Sequence, residues 1–263
     1  AGRAKISFGP VRLRYANSSW IRGIDISSSQ LSSISLDKMR RGAEVNTKLS
    51  VVVNAHSERD FLNQALDSVA ANVANLLNLG KVESEILLIL DSADEETKQT
   101  AYAHGDLVRV IETSFSDLSL ARNYALSLID SRFVAFIDGD DIWGADWLAK
   151  GLAYMLQVSN SKRIILHPEI NMHFGDGVAS GLIFRHVGSN SPEFNPAVLA
   201  IQNYWSALSF ADRQIYQDFP FRQKDSLAGT AFEDWTFNIE TWNAGIEHHV
   251  VPETVHFIRE KLV

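Results

Sequence analysis

There is no cysteine among the 263 residues, which excludes disulfides, thiolate metal sites and a cysteine nucleophile together. Any bound metal must then use oxygen or imidazole ligands. Positive charge is also in deficit, with 24 Lys and Arg against 32 Asp and Glu and a net charge of -8. Such a chain repels a polyphosphate backbone, so general nucleic-acid binding is not expected. No apolar stretch is long enough for a transmembrane segment, and no charged-then-apolar leader pattern follows Ala1. The chain reads as an excised segment or processed product with a cytoplasmic setting. What is present is an ordinary globular composition, 46% hydrophobic and 21% charged, long enough for one large domain or two small ones.

Residues 1–47 carry serine-rich turns without strong periodicity and read as an N-terminal appendage. From Lys48 the texture changes. Leu49-Ser50-Val51-Val52-Val53-Asn54 is a short β-branched run that predicts a buried strand, and apolar residues from Phe61 to Leu77 recur at helical spacing, with Gly80 placed to cap the end. The alternation continues with strand 85–90, helix 94–102, strand 107–111, helix 118–129, strand 132–137 and helix 146–157. Strands alternating with helices predict an α/β fold whose largely parallel sheet is covered on both faces and binds ligands beyond the carboxyl ends of its strands. Segments 162–167 and 181–186 read as a smaller antiparallel addition around a Gly-rich turn.

The polar strand ends therefore carry the chemistry. Asp138-Gly139-Asp140-Asp141 follows the apolar run Phe133 to Ile137 and crowds three carboxylates into one turn. Like charges this close repel unless a cation or water separates them. Hard carboxylate oxygens suit Mg²⁺ or Mn²⁺, which can also neutralise two phosphates; an acidic turn after a strand is the plain alternative. Asp91, at the next strand end, can accept hydrogen bonds from a base or ribose, while Ser92 and Glu95 have capping-box spacing. Glu233-Asp234-Trp235 opens a late helical stretch. Thr230 and Glu233 are also spaced as a capping box, which leaves Asp234 as the candidate general base, a role worth about 10² to 10⁴ in rate. His256 is either a buried structural residue or a last ligand of an oxygen-rich Mn²⁺ site. Trp205 and Trp235 are either packing residues or platforms that stack on a sugar face.

In this order the motifs resemble the inverting glycosyltransferases of family 2, which have the GT-A fold. The resemblance runs from about Lys48 to the end and rests on five landmarks: Leu49 to Asn54 with its following helix, Ile89-Leu90-Asp91, Leu120-Ala121-Arg122-Asn123, Phe136 to Asp141, and Glu233-Asp234-Trp235. It implies a GT-A domain over 48–263, with a nucleotide-sugar half at about 48–145 and an acceptor half at about 146–263. It further implies a DxD motif in which Asp140 meets Mn²⁺ or Mg²⁺ and Asp138 meets the ribose or metal, with His256 as a further metal ligand.

By the same resemblance Asp91 holds the base, Ala55 and Glu58 line the nucleotide pocket and Arg122 sits beside the donor. Asp234 deprotonates the acceptor hydroxyl, with Glu233, Trp235 and Trp205 on the acceptor side. The turns Asn54-Ala55-His56 and Asp91-Ser92-Ala93 depart from the usual family pattern, which leaves the base open. The expected partners are a nucleotide-diphosphate sugar, UDP foremost, and a glycan or lipid-linked acceptor of bacterial surface polysaccharide, at the inner face of the plasma membrane. A non-catalytic nucleotide- or glycan-binding domain is the competing expectation. Sugar nucleotidyl transfer fits less well because the turn Ala55-His56-Ser57-Glu58 is not a Gly-rich basic loop, and glycoside hydrolysis would leave the acidic strand ends unexplained.

Overall fold

The computed structural model describes residues 47–77, 82–158, 163–176, 182–223 and 232–261. The expected appendage, apart from Thr47, and the caps placed on Gly80 and Thr230 lie outside the described residues.

The first half forms as the periodicity predicts. Strand β1 (Thr47–Ala55) leads into helix α1 (Phe61–Leu77), then β2 (Val82–Asp91), α2 (Glu95–Ala103), β3 (Arg109–Thr113), α3 (Leu118–Ser127), β4 (Phe133–Asp138), the two-residue β5 (Ile142–Trp143) and α4 (Trp147–Val158). The expected strand at 107–111 is displaced by two residues because Gly105–Leu107 forms a 3₁₀ turn. Asp94, not Ser92, caps α2, its side chain accepting from the Thr97 N–H. The second half adds β6 (Ile164–Phe174), β7 (Ile183–Arg185), α5 (Pro196–Leu199), β8 (Phe210–Asp212), α6 (Arg213–Asp218), α7 (Glu233–Asn243) and β9 (Glu247–Arg259).

Among the described residues one sheet runs in the order β3-β2-β1-β4-β8-β6-β9-β5, with β7 paired to β6. Strands β3, β2, β1 and β4 are parallel, β8 is antiparallel to both β4 and β6, and β9 returns parallel to β6. This is an α/β fold with a mostly parallel sheet and an antiparallel addition, as expected, although β6 takes β9 as a parallel neighbour.

Side chains alternate across each strand, so β1 sends Val51 and Val53 into one core with Leu62, Leu66 and Trp147, and Val52 into the other with Ala121, Phe136 and Phe237. Fully burying each such side chain contributes about 1.5 to 3 kcal/mol. Several buried polar side chains are paired across elements. Asn72 of α1 donates to Gly144 O at 3.0 Å and accepts from the Leu148 N–H at 3.1 Å, which anchors the chain just after the carboxylate turn. In the second half, His167 Nε2 meets His248 Nδ1 at 3.0 Å and His248 Nε2 meets Thr241 Oγ1 at 2.9 Å. Burial holds both rings neutral, His248 pushed down to about 3.

Candidate active site

Parallel pairing puts the strand ends in one row. Asn54 lies opposite Asp138 and Ile89, and Asp91 opposite Thr113. Beyond this edge is a cavity of about 420 Å³ whose wall includes Ala55, Glu58, Asp91, Asp117, Asp138 and Asp140. It lies where doubly wound sheets bind their ligands. The turn out of β4 folds back against β1, with Gly139 N–H donating to Asn54 O at 2.7 Å. A Cβ on residue 139 would stand 2.9 Å from Ala55 Cβ and 3.0 Å from Asn54 O, so this approach requires glycine. That contact sets Asp138 and Asp140 on the cavity wall.

Each expected nucleotide-site residue has a definite surrounding. The Asp91 carboxylate is nearly buried and accepts from Thr113 Oγ1, Phe115 N–H and Asp117 N–H at 3.0, 2.6 and 3.1 Å, which holds the loop that closes the cavity. Asp117 in turn caps α3 through the Leu120 N–H. Glu58 accepts from the His56 N–H, and burial raises its carboxyl above the usual range. Burial also raises Asp138, against the opposing pull of Arg122, and raises Asp141 well up with Asp138 and Asp140 adding repulsion.

Arg122 does not stand free beside a donor. It is fully buried, with Nη2 3.1 Å from Asp138 Oδ1 and Nη1 2.8 Å from Glu233 Oε1, and its guanidinium lies over the Phe221 ring. It ties the end of β4 to the start of α7. Glu233 is therefore an ion-pair partner, and no side chain caps α7.

Asp234 is held by other contacts. Its Oδ2 accepts from Asn203 Nδ2 at 3.0 Å, and Asn238 Nδ2 donates to Asn203 Oδ1 at 3.0 Å and to Trp205 O at 2.8 Å. Burial, with repulsion from Glu233, pushes the Asp234 carboxyl up to about 6. It lies on the wall of a second cavity of about 380 Å³ with Asn171, His186, Tyr204 and Ser206. Sequence reasoning missed Asn203 and Asn238, because nothing local marks an asparagine whose partner is 31 residues away.

Two expectations need correction. Trp205 is 2% exposed, its Nε1 donates to Val187 O at 2.8 Å and its ring is stacked on His248 at 3.9 Å; with Phe194 parallel at 5.6 Å, it packs rather than offering a face to a sugar. Trp235 is partly buried and donates to Leu199 O at 2.7 Å. His256 is 1% exposed, lies edge-on to Trp143, and its Nε2 is 3.8 Å from Asp141 Oδ2. Among the described residues no three His, Asp or Glu are arranged to hold a metal ion, so the set Asp138, Asp140 and His256 does not converge. Asp138 and Asp140 share the cavity wall; His256 faces Asp141 instead.

Part of the chain is similar to known glycosyltransferases. Residues 50–161 match the family model described as glycosyl transferase family 2. TuaG of Bacillus subtilis (strain 168), named for teichuronic acid biosynthesis, is 27% identical over 115 residues, covering 42% of this chain and 43% of that protein. WfgD of Escherichia coli, named a UDP-Glc:alpha-D-GlcNAc-diphosphoundecaprenol beta-1,3-glucosyltransferase, is 27% identical over 92 residues, 34% of this chain and 36% of that protein. The matched region thus spans less than half the length of each. Among solved structures, S. aureus TarS 1–349 in complex with UDP-GlcNAc superimposes with a TM-score of 0.62 at 16% identity, over 82% of this chain and 59% of that one. TarS 1–349 without ligand gives 0.60 at 18%, over 81% and 60%. At these identities the structural likeness establishes the fold. Residues 50–161 are thus similar to glycosyl transferase family 2, and the chain shares the GT-A-like fold of the TarS structures.

Proposed function

We propose that this chain transfers a sugar, with inversion, from a nucleoside-diphosphate sugar to a hydroxyl of a glycan or lipid-linked acceptor in bacterial surface-polysaccharide synthesis. One observation carries the reading: Asp234, raised to about 6, lies on the second cavity, and its neighbour Glu233 is joined through Arg122 to Asp138 on the strand-end cavity. The two cavities then take the two substrates. The acceptor oxygen attacks the anomeric carbon as Asp234 takes its proton, the bond from that carbon to the diphosphate oxygen breaks, and the diphosphate leaves with the electron pair. A single displacement inverts the anomeric centre.

UDP as the nucleotide is supported by the UDP-GlcNAc complex of TarS and by the UDP-Glc in the name of WfgD. Asp138 and Asp140 offer the hard oxygens that Mg²⁺ or Mn²⁺ favours, and such an ion, when bound, neutralises charge on the departing diphosphate. No described helix is long and apolar enough to cross a membrane; for a lipid-linked acceptor we place the domain peripherally at the inner face of the plasma membrane.

The test is thermal unfolding with UDP, dTDP, GDP and CMP, each with Mn²⁺, Mg²⁺ or EDTA, followed by transfer assays of Asp234→Asn. A nucleotide at about 100 times its Kd adds roughly 2.7 kcal/mol, on the order of 5 to 10 °C here. The variant is expected to keep that shift and lose transfer. No shift with any nucleotide, or near-wild-type transfer by the variant, overturns the reading; a shift without turnover by the wild type favours a binding module.

A further inference from the structure

The carboxylate turn after β4 is overlaid by the end of β9. Arg259 donates its backbone N–H to Asp141 Oδ1 at 2.9 Å, its Nε to Asp140 O at 3.0 Å and its Nη2 to Gln64 Oε1 at 2.8 Å. Its guanidinium is clamped between the rings of Phe61 and Phe174, at 4.1 and 4.4 Å. The Glu260 N–H donates to Phe174 O at 2.7 Å, and its carboxylate meets His173 Nδ1 at 2.6 Å. With both preceding residues fixed, the Lys261 ammonium is delivered 2.7 Å from Asp140 Oδ2 and 3.7 Å from Glu58 Oε1.

Both carboxylates belong to the wall of the strand-end cavity, which also carries Asp91, Asp117 and Asp138. Asp91 and Asp117 are committed to backbone N–H groups, and Arg122 offsets Asp138. An incoming diphosphate would meet Asp140 and Glu58 as repelling charges without a cation between them. Lysine suits that place: a point charge with three donors on a flexible stem can take on a phosphate while staying beside Asp140, without backbone movement. Its side chain is 43% exposed, so the ammonium is open to an incoming anion.

We propose that Lys261 is a diphosphate-binding residue of the donor pocket, held in readiness by Asp140 and Glu58, and that it supports nucleotide binding without a divalent ion. The inference rests on the reading of the strand-end cavity as a nucleoside-diphosphate site. Calorimetric titration of the full chain with UDP and with uridine, in EDTA and in Mn²⁺, separates the two. Wild type is expected to bind UDP in EDTA. Lys261→Met should weaken UDP there by about tenfold or more, the loss of one charge-assisted hydrogen bond. Uridine binding should be unchanged, and Lys261→Arg should retain most of the affinity. Unchanged or tighter UDP binding by Lys261→Met overturns the proposal, the tighter case making Lys261 a screen over the pocket. Wild-type binding of UDP that vanishes in EDTA overturns it while leaving the donor reading in place. Failure of UDP, dTDP and GDP to bind under either condition overturns both.

Discussion

Arg122 Nη1 lies 2.8 Å from Glu233 Oε1, although 111 residues separate them along the chain. The same guanidinium reaches Asp138, so one buried cation fastens the late helix α7 to the end of β4. Replacing it with methionine leaves two carboxylates without their partner. The carboxylates left behind are partly exposed, 34% for Asp138 and 20% for Glu233, so the loss is about 1 to 3 kcal/mol, and Arg122→Met should lower the urea midpoint accordingly. Arg122→Lys, which keeps the charge but not the fork, should fall between the two. A midpoint for Arg122→Met equal to that of wild type would remove the link from the account.

The Asp234 carboxyl, pushed up to about 6, sets a pH dependence. A general base must be deprotonated to act, so its competence is full above the folded value and lost as pH falls through it. The acid limb of kcat/KM should bend near pH 6 and then drop tenfold per unit. The limb should move to higher pH in Arg122→Met, because Arg122 is among the groups that lower Asp234. A profile flat from pH 7 to pH 4.5 would show that Asp234 is not the base.

Gly139 permits the contact on which the placement of Asp138 and Asp140 depends. Alanine there would put its Cβ 2.9 Å from that of Ala55 and 3.0 Å from a backbone oxygen. The turn must lift away from β1, at about 1 to 3 kcal/mol. Because Asp138 and Asp140 move with it, nucleotide affinity should fall together with the melting temperature. Calorimetry showing wild-type nucleotide affinity in Gly139→Ala would mean that the turn has slack.

The alternation of β1, α1, β2 and α2 was legible because each buried strand is a run such as Val51 to Val53 and each helix repeats its apolar residues at 3.6 spacing. The strand-end carboxylates were legible for the same reason, since a polar residue closing such a run has one place to go. The second half was harder. Strand β9 carries His248 and His256 on a strand that also pairs with β6, and nothing in their spacing says that burial keeps them neutral. Trp205 read as a candidate platform because its cover, His248, lies 43 residues later in the sequence. Arg122 was placed near the donor from its motif, but its two ion pairs depend on tertiary closure that no local pattern encodes.

The pairing of β9 with β6 and β5 has a consequence for how the protein is made. Arg259 reaches Asp141 across 118 residues, so during synthesis the acidic turn leaves the ribosome well before the segment that covers it. Until β9 is added, Asp140 and Asp141 lack the contacts that Arg259 and Lys261 make with them. Contacts this distant in sequence form late and slowly. The strand-end cavity is thus among the last regions to mature, and a ribosome stalled within β9 would present a folded parallel sheet with an uncovered acidic edge.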